Sequence, residues 1–244
     1  MLHGTRLRTL SILTAVFLIG GFTLAAFWAP MDADQGFMQK IFYVHVPMAI
    51  VALIGFVAGG WFGIQYLRKG DARDDLRSYV AIHIAIVLGV GVLVTGAIWA
   101  KAAWGQWFVW DEPTLTSFLI IFLLYCTYTP LRFSIPEPDR QARYASVFAI
   151  VGGAFVPLNF LAVRLAEPLI HPRTLNSTGS LPAEVRTSFF ICLIGMVLLF
   201  ITLWKYEMAS KNATAQIRAL RRRLSGEEDP ALAKRTAAPT VTTT

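Results

Sequence analysis

The sequence predicts an all-α integral membrane protein, a bundle of six transmembrane helices with both termini on the cytoplasmic side. Three observations carry this. Of 244 residues, 55% are hydrophobic and the mean hydropathy is +0.55, a balance foreign to a soluble domain with a single core. Charged residues, only 15% of the chain, fall in short clusters. Between those clusters lie six apolar runs, each close to the roughly 20 residues that a helix needs to cross hydrocarbon.

The first run, Thr9–Ala29, follows Arg6 and Arg8 as a secretory leader would. Its apolar stretch exceeds the ~7–15 residues of a leader core, so it is expected to stay as an anchor. The second, Ile41–Leu67, carries Pro47 near its outer end, which frees a backbone carbonyl there. It also holds Gly55, Gly59 and Gly63 at four-residue spacing, which lets a helix of this chain or of another subunit approach closely. The third and fourth runs are Tyr79–Ala100 and Thr114–Leu131; the fifth and sixth are Tyr144–Val163 and Thr187–Tyr206. Cys126 and Cys192 lie mid-span on different helices without CxxC spacing. They read as small packed residues, not as a redox pair.

Orientation follows from the basic residues. Arg6 and Arg8, the clusters after the second and fourth runs, and the tail from Lys205 onward hold seventeen of the 22 lysines and arginines. The other face has Lys40, Lys101, Arg164, Arg173 and Arg186. Both termini are therefore placed inside, and the net charge of +7 reflects this bias; it is no argument for a nucleic-acid partner. Residues 1–206 form one membrane domain. Residues 207–244 divide into a basic segment and a polar tail. In the segment Ile217, Leu220 and Leu224 share a helical face among Arg218, Arg221, Arg222 and Arg223, which suits an anionic leaflet or simply solvent. From Ser225 the composition predicts disorder.

Function is sought on the outward face, since the cytoplasmic loops are short and merely charged. Its first loop, Pro30–Lys40, is short; the third, about Arg164–Arg186, contains Pro168, Pro172 and Pro182 and is expected to be irregular. The second, about residues 101–113, packs Trp104, Trp107, Phe108 and Trp110 into seven residues and ends on Asp111. Interfacial tryptophans usually form a belt scattered over all helix ends. A cluster in one loop also suits a platform for a planar ligand, and Trp104, Trp107 and Phe108 would share a face if helical. Both readings stay open on pattern alone.

Of the histidines, His3 lies in the N-terminal tail and His83 early in the third span. His83 is a functional candidate by its depth, and equally a packed side chain. His45 lies about one turn inside the outer start of the second span, and His171 in the third outer loop. The topology brings both to the face that carries the tryptophans. Neutral imidazole is a common axial ligand of haem iron, and two histidines flanking an aromatic shelf suit a haem bound edge-in. Taken singly, each histidine also suits a structural role.

The stretch Gly96, Ile98, Lys101 and Trp104-Gly105-Gln106-Trp107-Phe108-Val109-Trp110-Asp111 resembles the tryptophan-rich signature of membrane haem-handling proteins. Within that superfamily, His45-Val46-Pro47 after Ile41-Phe42-Tyr43-Val44 resembles the cytochrome c maturation protein C family (haem exporter protein C). The likeness covers about residues 38–206, and the size and six-helix layout match. Where the family has paired tryptophans this chain has Trp107-Phe108, and Pro113 replaces a basic residue usual two positions after the aspartate.

The resemblance implies a protein of the bacterial inner membrane, working at its periplasmic face in cytochrome c biogenesis. It would accept haem b at the outer leaflet and deliver it to a periplasmic haem chaperone. His45 and His171 would be axial ligands, and Trp104, Trp107, Phe108, Trp110 and Asp111 the platform. Lys101 and Arg164 are candidates to pair with haem propionates through charge-assisted bonds. ABC transporter subunits and a small accessory membrane protein are the implied partners. No catalysis is expected of the chain alone. The competing classes are a b-type redox cytochrome, which places histidines on facing helices, and a small-solute transporter, which needs broken helices and polar groups at the midplane.

Overall fold

The structure, a computed structural model, describes residues 2–166, 170–171 and 181–225. Most of the irregular third outer loop and nearly all of the polar tail expected from the sequence lie outside these ranges. The described elements are α1 (Leu2–Phe27), a 3-10 turn (Phe37–Ile41), α2 (Phe42–Lys69), α3 (Ala72–Trp104), α4 (Pro113–Cys126), α5 (Tyr128–Phe133), α6 (Pro138–Leu165) and α7 (Ala183–Leu224). Six stretches are long and apolar enough to cross a membrane, α4 and α5 together making one. The expected all-helical, six-span fold is thus what the chain adopts.

Local chemistry sets the element ends. α2 stops at Gly70, whose φ of 70° is left-handed and whose N–H donates to the Tyr66 carbonyl. α3 starts at once, seven residues before the apolar run, because Asp71 accepts from the Arg73 N–H and Asp74 and Asp75 fill the first turn. Its far end is closed by Gly105, φ 75°, donating to the Lys101 carbonyl. The fourth span breaks at Thr127; Pro130 has no N–H to offer the carbonyl four residues back. Pro47 sits inside α2, as the sequence indicated.

The chain forms two compact units, Met1–Trp204 and Lys205–Thr244. In the first, α2 is central and packs against α3 and α6. The close approach foreseen from the α2 glycines is made within this chain. A Cβ on Gly59 would collide with Ile82 of α3, and one on Gly60 would lie 2.8 Å from the Ala149 carbonyl oxygen of α6. Ser78 Oγ donates to the Gly59 carbonyl at 2.8 Å, an interhelical bond worth about 0.6 kcal/mol in a bilayer. Phe56 stacks on Tyr125 at 3.9 Å, at the heart of a cluster with Ile82, Ala85, Ala145 and Ala149. α1 lies on α7, where Thr14 and Thr202 share a buried hydroxyl bond of 2.7 Å. Cys126 and Cys192 are free thiols, in keeping with a packing role.

One expectation needs correction. The arginine-rich end is more than charged loops: Arg132 of α5 makes two bonds to Asp75 of α3, at 2.7 and 2.6 Å. Only 9% and 15% of the two side chains is exposed. The Arg132 guanidinium also lies 5.1 Å from the centre of the Tyr79 ring. A pair this dry ties two helices together, and its geometry depends on residues 57 positions apart. In the second unit, the described residues Lys205–Ser225 continue α7 to Leu224. Lys211 pairs with Glu207 at 3.5 Å, and Ile217, Leu220 and Leu224 are exposed.

Candidate ligand cleft beside the tryptophan loop

His45 projects from the first turns of α2, and its place is fixed from α3. Its Nδ1 lies 2.9 Å from Oγ1 of Thr95. The same hydroxyl lies within donating distance of the helix carbonyls of Gly91, at 2.7 Å, and Val92, at 3.2 Å. While it donates to those carbonyls it accepts from the imidazole, an arrangement that pairs with the His45 tautomer protonated on Nδ1. Nε2 then keeps its lone pair, the form in which a histidine ligates a metal. Gly96 makes room for this ring, since a Cβ there would lie 2.9 Å from His45 Cε1. Trp99 meets the ring edge-on at 5.8 Å, and its Nε1 donates to Gln35 Oε1 at 2.6 Å. The first outer segment thus braces the histidine's neighbour through an Asp32-centred turn, in which Oδ1 accepts from the N–H of Asp34 and Gln35.

The aromatic cluster is split between two conformations. Trp104 is the last residue of α3, and after Gly105 the chain turns away from the helix. Trp107 and Phe108 therefore share a face with Trp104 by the turn, not by helical spacing. Phe108 is braced by Trp110 at 4.7 Å, and the Trp110 carbonyl accepts from Thr116 Oγ1 at 2.6 Å. Lys101 donates its Nζ to the Gly105 carbonyl at 2.8 Å, closing the helix end. Asp111 is exposed beside this corner.

Glu112, which sequence reasoning passed over, is fully buried. It caps α4, with Oε1 accepting from the Thr114 N–H at 3.4 Å and Pro113 in the first helical position. Its Oε2 accepts from the N–H of Ile170 at 2.9 Å and of His171 at 3.2 Å. An acid directly before Pro113 and an apolar run marks a helix start. Nothing local announces a partner 59 residues away.

These segments enclose a cleft of about 260 Å³, open on one side. His45, Trp104, Trp107, Phe108, Arg164 and His171 line it. His171 meets Trp104 at 6.2 Å with the rings inclined by 61°. Arg164 holds its guanidinium 4.9 Å from the centre of the Phe160 ring, both residues lining the cleft. Leu53, Val92, Ile121 and Val156 make the floor apolar. Of the residues singled out in the sequence, Lys101, Trp110 and Asp111 are not among the lining residues; the first two support the corner that carries Trp107 and Phe108. His83 stacks on Tyr79 at 6.0 Å and does not line the cleft. Among the described residues no cluster of three or more His, Cys, Asp or Glu side chains could hold a bare metal ion. Two imidazoles thus line a cleft whose walls are mostly apolar and aromatic.

The family model described as Heme exporter protein C matches residues 1–223. A Heme exporter protein C from Rhodobacter capsulatus is 31% identical over 216 residues, covering 86% of this chain and 88% of that protein. The protein of that name from Paracoccus denitrificans is 32% identical over 180 residues, covering 72% and 74%. The one from Escherichia coli K12 is 28% identical over 202 residues, covering 82% and 80%. The likeness runs through the spans that build the cleft as well as the loop between them. This chain belongs to the haem exporter protein C family.

Proposed function

We propose that the cleft receives haem b at the outer face of the bacterial inner membrane and passes it to a periplasmic haem chaperone. Membership of the family carries the coarser statement, a haem-handling role in cytochrome c biogenesis. The finer reading rests on one observation: His45 and His171, from segments more than 120 residues apart, meet at one apolar cleft with Trp104, Trp107 and Phe108. His45, held in its Nδ1–H form by Thr95, offers Nε2 to the iron from one side. His171 offers the second ligand, and the indoles with Phe108 cover the macrocycle. Arg164 takes a propionate, while Lys101 and Trp110 hold the corner in shape and Asp111 lies exposed beside it. The apolar floor keeps water off the ring faces.

In this reading the chain makes and breaks no covalent bond. Its task is to hold the cargo firmly enough to prevent loss and weakly enough to surrender it, so one ligand must leave easily. Both termini face the cytoplasm, the basic last turns of α7 sit at the inner leaflet, and ABC transporter subunits and a small accessory membrane protein complete the assembly. The test is the optical spectrum of detergent-purified protein supplied with haem, beside His45→Ala and His171→Ala. A low-spin Soret band lost or shifted in both variants supports a bis-histidine carrier. A protein that acquires no haem sinks the reading.

A further inference from the structure

We infer that Glu112 is a positioning residue for His171: its buried carboxylate latches the segment after α6 onto the tryptophan loop and sets how tightly His171 ligates. This rests on the reading of His171 as an iron ligand.

The geometry is specific. One oxygen of a fully buried carboxylate accepts from two successive backbone N–H groups, of Ile170 and His171. The other accepts from Thr114 in the first turn of α4. Bonds to an ionised acceptor are the strong ones, and a carboxylate withdrawn from water is tolerated because such donors surround it. The bonds reach backbone, so they fix where the histidine's own N–H and Cα lie whatever its side chain does. Its ring then meets Trp104. Glu112 itself does not line the cleft; it acts only through His171. Unlike His45, which sits in a continuous helix, His171 is attached to the site by contacts across the chain, and Glu112 supplies two of the backbone ones.

The test uses full-length protein in detergent with haem added, comparing wild type, Glu112→Gln, Glu112→Ala and His171→Ala. Glu112→Ala is expected to weaken the low-spin band toward that of His171→Ala and to speed haem loss to an apo-globin acceptor by about tenfold, the equivalent of one charge-assisted bond. Added imidazole should restore the low-spin band. Glu112→Gln, which keeps an acceptor oxygen, should fall between, and it stands in if the alanine variant does not fold. Hydrogen exchange of the haem-free protein tests the latch by itself: amides of the peptide containing residues 170–171 should exchange faster in both variants. Unchanged exchange and an unchanged rate of haem loss overturn the inference. Faster exchange with a spectrum that ignores both Glu112 and His171 overturns the ligand reading and keeps the latch.

Discussion

Nδ1 of His45 and Oγ1 of Thr95 lie 2.9 Å apart, and the same hydroxyl is within hydrogen-bond distance of the Gly91 and Val92 carbonyls of its own helix. When the hydroxyl donates to those carbonyls it accepts from Nδ1–H, and Nε2 is the nitrogen left bare. Partners of this kind are worth roughly 10–100-fold in metal affinity when removed. Thr95→Val should weaken haem binding within that range, while Thr95→Ser, which keeps the acceptor, should stay near wild type. Haem titration of the purified variants decides it; equal affinity for the valine variant would mean that the tautomer is fixed by something else.

Gly96 is a second control on the same ring. A Cβ would lie 2.9 Å from His45 Cε1, closer than side-chain carbons approach, so Gly96→Ala must push the imidazole aside. The expected result is loss of the low-spin band with little change in thermal unfolding of the haem-free protein. A normal spectrum in Gly96→Ala would show that the ring can shift without losing the iron.

Arg164 and Lys101 are both cations near the tryptophan loop, and the structure separates their roles. Arg164 lines the cleft, whereas Lys101 Nζ is engaged by the Gly105 carbonyl. Arg164→Gln should weaken binding of haem several-fold but leave binding of its dimethyl ester unchanged, since only free propionates attract the guanidinium. Lys101→Gln should alter both porphyrins equally, through the corner. Identical behaviour of the two variants would remove the propionate assignment.

At the far end of α3, Arg132→Leu or Asp75→Leu leaves one charge in a site where 9% and 15% of the side chains is exposed. Stranding a buried charge costs roughly 3–5 kcal/mol, so each single variant should unfold at clearly lower temperature in detergent. The double variant, with no charge left to strand, should recover much of the loss. Thermal scans of the three proteins check this, and additive losses would refute it.

What could be read from the sequence differs by the range of the interaction involved. The spans are legible because hydrocarbon thickness imposes a length and a composition on each helix separately. Gly105 and Asp71 are legible in the same way, as local stop and start signals. His45, His171 and the tryptophans are legible by residue type and position, since the topology brings them to one face, and the resemblance gives them their roles. Thr95 and Glu112 did not stand out, and Gly96 entered only as part of the resembling stretch, because each matters through one contact in another segment. A threonine within an apolar helix or an acid before a proline looks ordinary until its partner is beside it. The condition on which Trp104, Trp107 and Phe108 would share a helical face is not met, for a local reason: Gly105 ends the helix one residue after Trp104.

α3 has a division of labour along its length. Asp75, in its first turn, serves the ion pair, and Thr95 and Gly96 serve the histidine, about 30 Å further along at 1.5 Å per residue. A lineage adapting to heat can rework the one end without retuning the other. A lineage whose cargo must change hands faster can loosen the histidine's neighbours and keep the same bundle. Robustness and grip are inherited as separate traits on a single helix.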